Sequence, residues 1–218
     1  MLEKDGIIYE LLQEKDLEKT IACVTDVFTS REPLTTALGL TPDEFYPFAK
    51  LFCDKAVEDR LSYIVKDAAT DEVIGFLIAE DLVQDPDFHD SYERVFQEIV
   101  KIQPLIDVVD KLEETYLENK DVKKGEVFHM FLGGINQGYQ HRGIPELALE
   151  QLLNNAQRQK FMAAIIEVSG LHSQRNMLNA GFEEKCFIDY QDYTYEGKHV
   201  FAGIPKINKK CILMEKVF

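Results

Sequence analysis

The chain has 218 residues, enough for one sizeable core, and 45% of them are hydrophobic, an ordinary share for a globular protein. Its net charge of -15 argues against nucleic acid as the main partner, because phosphate backbones are met by basic surfaces. Charges interrupt the first apolar run, no stretch reaches the length of a membrane span, and Cys23, Cys53, Cys186 and Cys211 lack metal-ligand spacing; together these predict a cytoplasmic protein with reduced thiols and no membrane partner.

Residues 7–12 read as a first strand and 14–30 as a helix, with Leu17, Ile21, Val24 and Phe28 on one face. Residues 31–39 break that pattern. Thr41 and Pro42 then supply an N-cap and a first helical residue, followed by early acids, and the helix should run to about residue 59 with Phe45, Phe48, Phe52 and Cys53 inward. Residues 61–66 and 73–79 read as two strands joined by a polar turn around Thr70 and Asp71. An insertion follows, in which Tyr92, Val95, Phe96 and Ile99 share one helical face and Leu105, Ile106, Val109, Leu112 and Tyr116 another. Pro104 should kink or divide it, and the whole predicts a helical layer over the sheet.

Residues 127–135 form an apolar, β-favouring run, and 136–143 a polar turn containing glycine. A helix follows, with Ala148, Leu152 and Ala156 at i, i+4 and i+8 and Leu149 and Leu153 beside them. Residues 162–168 read as a buried strand, 171–179 as a short helix stopped by Gly181, 185–190 as a strand, 193–208 as irregular and 211–217 as a terminal strand. With no repeat and no linker, residues 1–218 read as a single α/β or α+β domain.

The strand, turn and helix over 126–155 are the most informative stretch. Such a turn offers a row of free backbone N–H groups at a helix N-terminus, which suits an anion. Pro145 fits the first helical position. A phosphate-binding turn and an ordinary strand-to-helix connection both satisfy this spacing. Gln140-His141-Arg142-Gly143-Ile144-Pro145 resembles the Q/R-x-x-G-x-G/A signature of the GNAT acyl-CoA N-acyltransferases, in which this turn wraps the cofactor's pyrophosphate. It departs from the signature at Pro145, which has no N–H to donate.

Two further stretches carry a narrower resemblance. Glu32-Pro33-Leu34-Thr35 resembles the D-E-P-L-N segment of insect arylalkylamine and dopamine N-acetyltransferases, whose glutamate is the catalytic base; Arg31 and Thr35 replace the usual Asp and Asn. Ser169-Gly170-Leu171-His172-Ser173-Gln174-Arg175, with Ala180-Gly181-Phe182, resembles their S-x-x-x-S-x-R and L-G-F segments, whose serines sit at the active site.

The resemblance implies a GNAT fold, a twisted mixed sheet of about seven strands flanked by helices, with a helical insertion before the central strand. It implies an acetyl-CoA-dependent N-acetyltransferase in which a small primary arylalkylamine attacks the thioester directly. Glu32 would take the ammonium proton, and Ser169 or Ser173 would serve the leaving thiolate, because Met177 stands where many GNAT enzymes have a tyrosine. The cofactor would meet Gly134, Ile135, Gln140, His141, Arg142, Gly143, Ile144 and Pro145. Gly133 and Gly134 would allow close approach of the pantetheine arm, or form a β-bulge. His129 matches the first of a histidine pair on this strand in vertebrate arylalkylamine acetyltransferases, with Phe131 in the second place; a packed core histidine is the plainer role. No metal set is expected among the histidines. Phe45, Tyr46, Phe48 and Phe52 would line an amine pocket or fill the core. Other acceptors (an amino acid, a polyamine, a protein terminus) and a degenerate acyl-CoA-binding protein remain open, as does the oligomeric state, for which a monomer is the default.

Overall fold

The computed structural model describes residues 1–140 and 143–218, apart from the side chains of residues 86, 87, 89–91 and 93. Eight strands form one sheet: β1 (Leu2–Lys4), β2 (Ile7–Leu11), β3 (Tyr63–Asp67), β4 (Val73–Asp81), β5 (Val127–Ile135), β6 (Ala163–Val168), β7 (Glu183–Asp189) and β8 (Lys210–Val217). Their order is β1-β2-β3-β4-β5-β6-β8-β7, and only β5 and β6 run parallel. Among the described residues seven α-helices accompany them: α1 (Leu17–Arg31), α2 (Pro33–Ala37), α3 (Pro42–Asp59), α4 (Pro86–Glu98), α5 (Gln103–Leu117), α6 (Ile144–Arg158) and α7 (Leu171–Asn179).

The middle of the sheet is covered on both faces, so its inner strands are apolar on both. Ile64, Ile165 and Leu213 belong to the core beneath α1, α3 and α5, whereas Ala164, Ile212 and Met214 pack beneath α6 and α7. This is the period-two alternation of a strand between two helical layers. The insertion before β5 is helical, as its apolar faces predict. Its break falls at Ile99 and a 3₁₀ turn, Val100–Ile102; Pro104 lies in the first turn of α5, where a missing N–H costs nothing.

Three local departures from expectation matter. An extra edge strand, β1, pairs with β2 through a tight turn in which Asp5 and Gly6 both have positive φ, 52° and 75°. The first helix begins at Leu17, after a 3₁₀ turn at Glu14–Asp16. Residues 31–39 are not an open loop: they carry α2, and Glu32 is the single residue between α1 and α2.

Two irregularities open the middle of the sheet. Ile78 pairs with Leu132 but Ala79 pairs with Met130, so Phe131 is an extra, bulged residue in β5. Pairing of β5 with β6 runs only through Val127↔Ala163, Phe128↔Ala164 and His129↔Ile165. Beyond it the two parallel strands have no shared ladder, and a cleft begins there.

Candidate active site

The cleft encloses about 700 Å³, and four segments distant in sequence contribute most of its polar wall. Arg31, Glu32, Pro33 and Leu34 come from the junction of α1 and α2, and Phe131 to Ile135 from the end of β5. Gln140 and Pro145 come from the turn and the start of α6, and Glu167 to Ser173 from the end of β6 and the start of α7. Phe28, Phe45 and Phe48 give one side an aromatic lining. Phe52 lies behind it, its ring centroid 4.1 Å from that of Phe131, while Tyr46 is exposed and outside the cleft.

The turn after β5 is fixed before it reaches the helix. Asn136 N donates to Ile74 O (2.7 Å), and the Tyr139 hydroxyl donates to Asp67 (2.9 Å). Gly143 is the N-cap of α6 in the left-handed region, φ 72°, with no side-chain cap, so the first N–H groups of α6 are not met by a capping side chain. Ile144 opens the helix and Pro145 is second, one place later than expected. The Ile144 side chain is buried against Ile7, Tyr9, Val65 and Ile74, which leaves its backbone, not its side chain, to face a ligand. Gln140 is exposed on the cleft wall. His141 and Arg142 lie outside the described residues. The Ile135 carbonyl already accepts from Arg31 Nη2 at 2.7 Å.

Gly134, near the end of β5, serves the packing of α1. A Cβ on Gly134 would stand 2.6 Å from Val27 Cγ1 and 3.0 Å from Phe76 Cζ, so helix and sheet touch through the missing side chain. The bulge lies at Phe131, two residues before the glycine pair.

Glu32 caps α2. Its Oε1 accepts from Leu34 N (3.0 Å) and its Oε2 from Thr35 N (2.6 Å), while the half-buried residue also lines the cleft. A carboxylate has about four acceptor sites, so each oxygen keeps capacity for a second donor. Thr35 is fully buried and donates to Phe28 O, which fastens α2 to α1. Ser169 and Ser173 both line the cleft, Ser169 half-buried and Ser173 exposed. Neither is the cap of α7: Gly170 holds that position, and Asn208 Oδ1 accepts from Leu171 N at 3.0 Å. The Tyr190 hydroxyl donates to Ser169 O at 2.9 Å. Met177 faces both the cleft and the core beneath α6.

Sequence reasoning did not foresee the polar cluster under the cleft. His129 is buried, with Nδ1 3.2 Å from Glu80 Oε1 and Nε2 2.8 Å from Glu167 Oε2; Glu113 Oε1 is 3.8 Å from Nε2. Burial opposes charge on the imidazole, but Glu167, through its charge and its hydrogen bond, and then Glu80 outweigh it and raise its pKa well above 6.5. Burial pushes the Glu113 carboxyl up to about 8, against the pull of the His129 charge. One ligand atom each from Glu113, His129 and Glu167 lie within 4.8 Å of one another, so histidine and carboxylates do form a group of metal-ligand spacing. The four residues sit on β4, α5, β5 and β6. The only hint in the sequence was His129 itself, since nothing local relates the three glutamates.

No protein-family model matches the chain, and no curated protein does. Solved structures do match. An arylalkylamine N-acetyltransferase 2 from Aedes aegypti superimposes with a TM-score of 0.79 over 98% of this chain and 99% of that one, at 23% identity. The C-terminal condensation domain of Ebony, in complex with beta-alanyl-dopamine, gives 0.73 over the whole of both chains at 16% identity. A Drosophila melanogaster polyamine N acetyltransferase gives 0.77 over 97% of this chain and 100% of that one at 12% identity. The chain therefore has the GNAT fold that its three motifs resemble.

Proposed function

We propose that this protein is an acetyl-CoA-dependent N-acetyltransferase acting on a small primary amine, with an arylalkylamine as the preferred acceptor. One observation carries the reading: the three motif stretches, more than a hundred residues apart at their extremes, line one cleft that starts where β5 and β6 part. Likeness of the whole chain to amine acetyltransferases of the same fold supports it.

The cofactor's pyrophosphate would meet the first N–H groups of α6 around Gly143 and Ile144, with the helix dipole adding attraction. Its pantetheine arm would run along Phe131 to Ile135, where the bulge and the missing β6 ladder free backbone groups to hold the thioester oxygen as negative charge develops. The acceptor would enter from the aromatic side. Glu32 would take its proton, directly or through water, and the free amine would attack the thioester carbon; the tetrahedral intermediate collapses to amide and CoA thiolate. Ser169 or Ser173 would relay a proton to that thiolate. Cys211 lines the cleft, but burial holds its thiol well above 9, which disfavours a thiolate nucleophile and a covalent route.

The test is release of free thiol from acetyl-CoA over a panel of arylalkylamines, polyamines and amino acids. Thiol release with an arylalkylamine supports the reading; binding of acetyl-CoA with no release for any acceptor sinks it in favour of a non-catalytic acyl-CoA binder.

A further inference from the structure

We infer that Glu167, backed by His129 and Glu80, is the site that receives the ammonium group of the acceptor, and so selects cationic amines. The inference rests on the reading of this cleft as an amine acetyltransferase site. Three carboxylates line the cleft among the described residues: Glu32, Glu146 and Glu167. Glu32 spends an interaction of each oxygen on the backbone of α2. Glu146 is exposed in the first turn of α6, where water satisfies it. Glu167 differs from both. Its side chain is 6% exposed, Oε2 is held by His129 Nε2 at 2.8 Å, and Oε1 is buried with no hydrogen-bond partner.

A buried carboxylate oxygen without a donor is costly, and a ligand that supplies one recovers that cost on binding. Its place in the sheet fits such a ligand. Glu167 lies two residues beyond Ile165, the last residue of β6 paired with β5, at the mouth of the gap between the strands. The cleft it lines also carries apolar side chains, among them Leu105, Val109, Phe131 and Phe48, and Glu113 stands 3.8 Å from the same His129 nitrogen. The terminal torsion of a glutamate is soft, so the carboxylate turns to offer an oxygen to the cleft while keeping one on His129. His129 cannot swing away with it, because its Nδ1 is anchored 3.2 Å from Glu80, and its ring stands edge-on to Phe131 with centroids 5.5 Å apart. A primary ammonium brings donors and a positive charge to the buried, unpartnered oxygen of Glu167. A neutral amine brings no charge and gains less from the same contact.

The experiment compares 2-phenylethylamine, an ammonium ion at neutral pH, with an aromatic amine whose nitrogen is uncharged there. Both are measured with the parent and with Glu167→Gln, by thiol release and by thermal shift in the presence of CoA. The ratio of kcat/KM for phenylethylamine to that for the aromatic amine should fall about tenfold or more, mostly through KM. Glu167→Asp should restore part of it. A purely structural role would lower both substrates alike and leave the ratio unchanged, which overturns the inference. So does a parent whose melting temperature ignores phenylethylamine, or one whose response is abolished by chelator and restored by zinc, which would make the cluster a metal site. A parent that shifts with phenylethylamine and loses the shift in Glu167→Gln, yet releases no thiol, sinks the acetyltransferase reading and leaves this inference standing.

Discussion

Glu32 caps α2 and is the proposed general base, so a substitution there reads both. Glutamine offers one acceptor oxygen where α2 uses two, so Glu32→Gln weakens the cap by about 1 kcal/mol as well as removing basicity. Turnover should fall by roughly 10²–10⁴-fold, the usual cost of a lost general base, with CoA affinity little changed. The loss should shrink as pH rises, because more of the amine then arrives unprotonated. Equal loss at every pH would make Glu32 a positioning residue only. The buried cluster makes a second prediction, in stability. Glu113 and His129 both hold protons more tightly folded than unfolded, so the folded state loses stability as pH rises. For Glu113 the loss runs from the unfolded value near 4.5 up to about 8; for His129 it begins near 6.5 and continues above it. Glu113→Gln should therefore raise the melting temperature at pH 8 and not at pH 4. A parent whose stability is flat over this range would contradict the charge assignment.

At the scale of elements, packing decides what glycine and proline do. Gly134→Ala puts a methyl 2.6 Å from Val27 and should cost about 1–3 kcal/mol in a denaturant titration, by prising α1 from the sheet. Gly143 is the opposite case: a Cβ there meets nothing within 4 Å, but φ is 72°. Gly143→Glu should leave a folded protein that no longer binds CoA, through backbone strain and like charge at the mouth of α6; unchanged affinity by calorimetry would remove the turn from the cofactor site. The long elements were legible because their apolar periods are strong: α3, α7 and the helical insertion lie where the spacing puts them. The short ones were less so. The hairpin of β1 and β2 is announced by Asp5-Gly6, but a three-residue edge strand has little pattern of its own. α2 is five residues whose cap is a glutamate rather than Ser, Thr, Asp or Asn, and proline after it reads equally as a loop. The roles of Gly134 and of the bulge at Phe131 depend on what α1 and β4 bring against them, which no local window contains.

In the molecule as a whole the proposed site lies where the sheet's one parallel pairing stops. Every other pairing in the sheet is antiparallel and runs most or all of the length of the shorter strand, whereas β5 and β6 share three residue pairs and then part. The motif order in the sequence was enough to say that three segments meet, because each resembles a known active-site stretch. The cluster of Glu80, Glu113, His129 and Glu167 was not legible, since its members come from four elements and join only when the sheet and α5 close over one another. A ligand that fills the seam should act on the fold as well as on the reaction. Binding to the folded state alone adds about 2.7 kcal/mol at a CoA concentration 100 times Kd, which for a chain of this size raises the melting temperature by roughly 5–10 °C. Because the gain comes from bridging unpaired backbone, it should be local in hydrogen exchange: amides of residues 131–135 and of the first turn of α6 slow on adding CoA, while those of the β2–β3 ladder do not. A thermal shift of the expected size with protection elsewhere would mean that CoA binds outside the parting of β5 and β6.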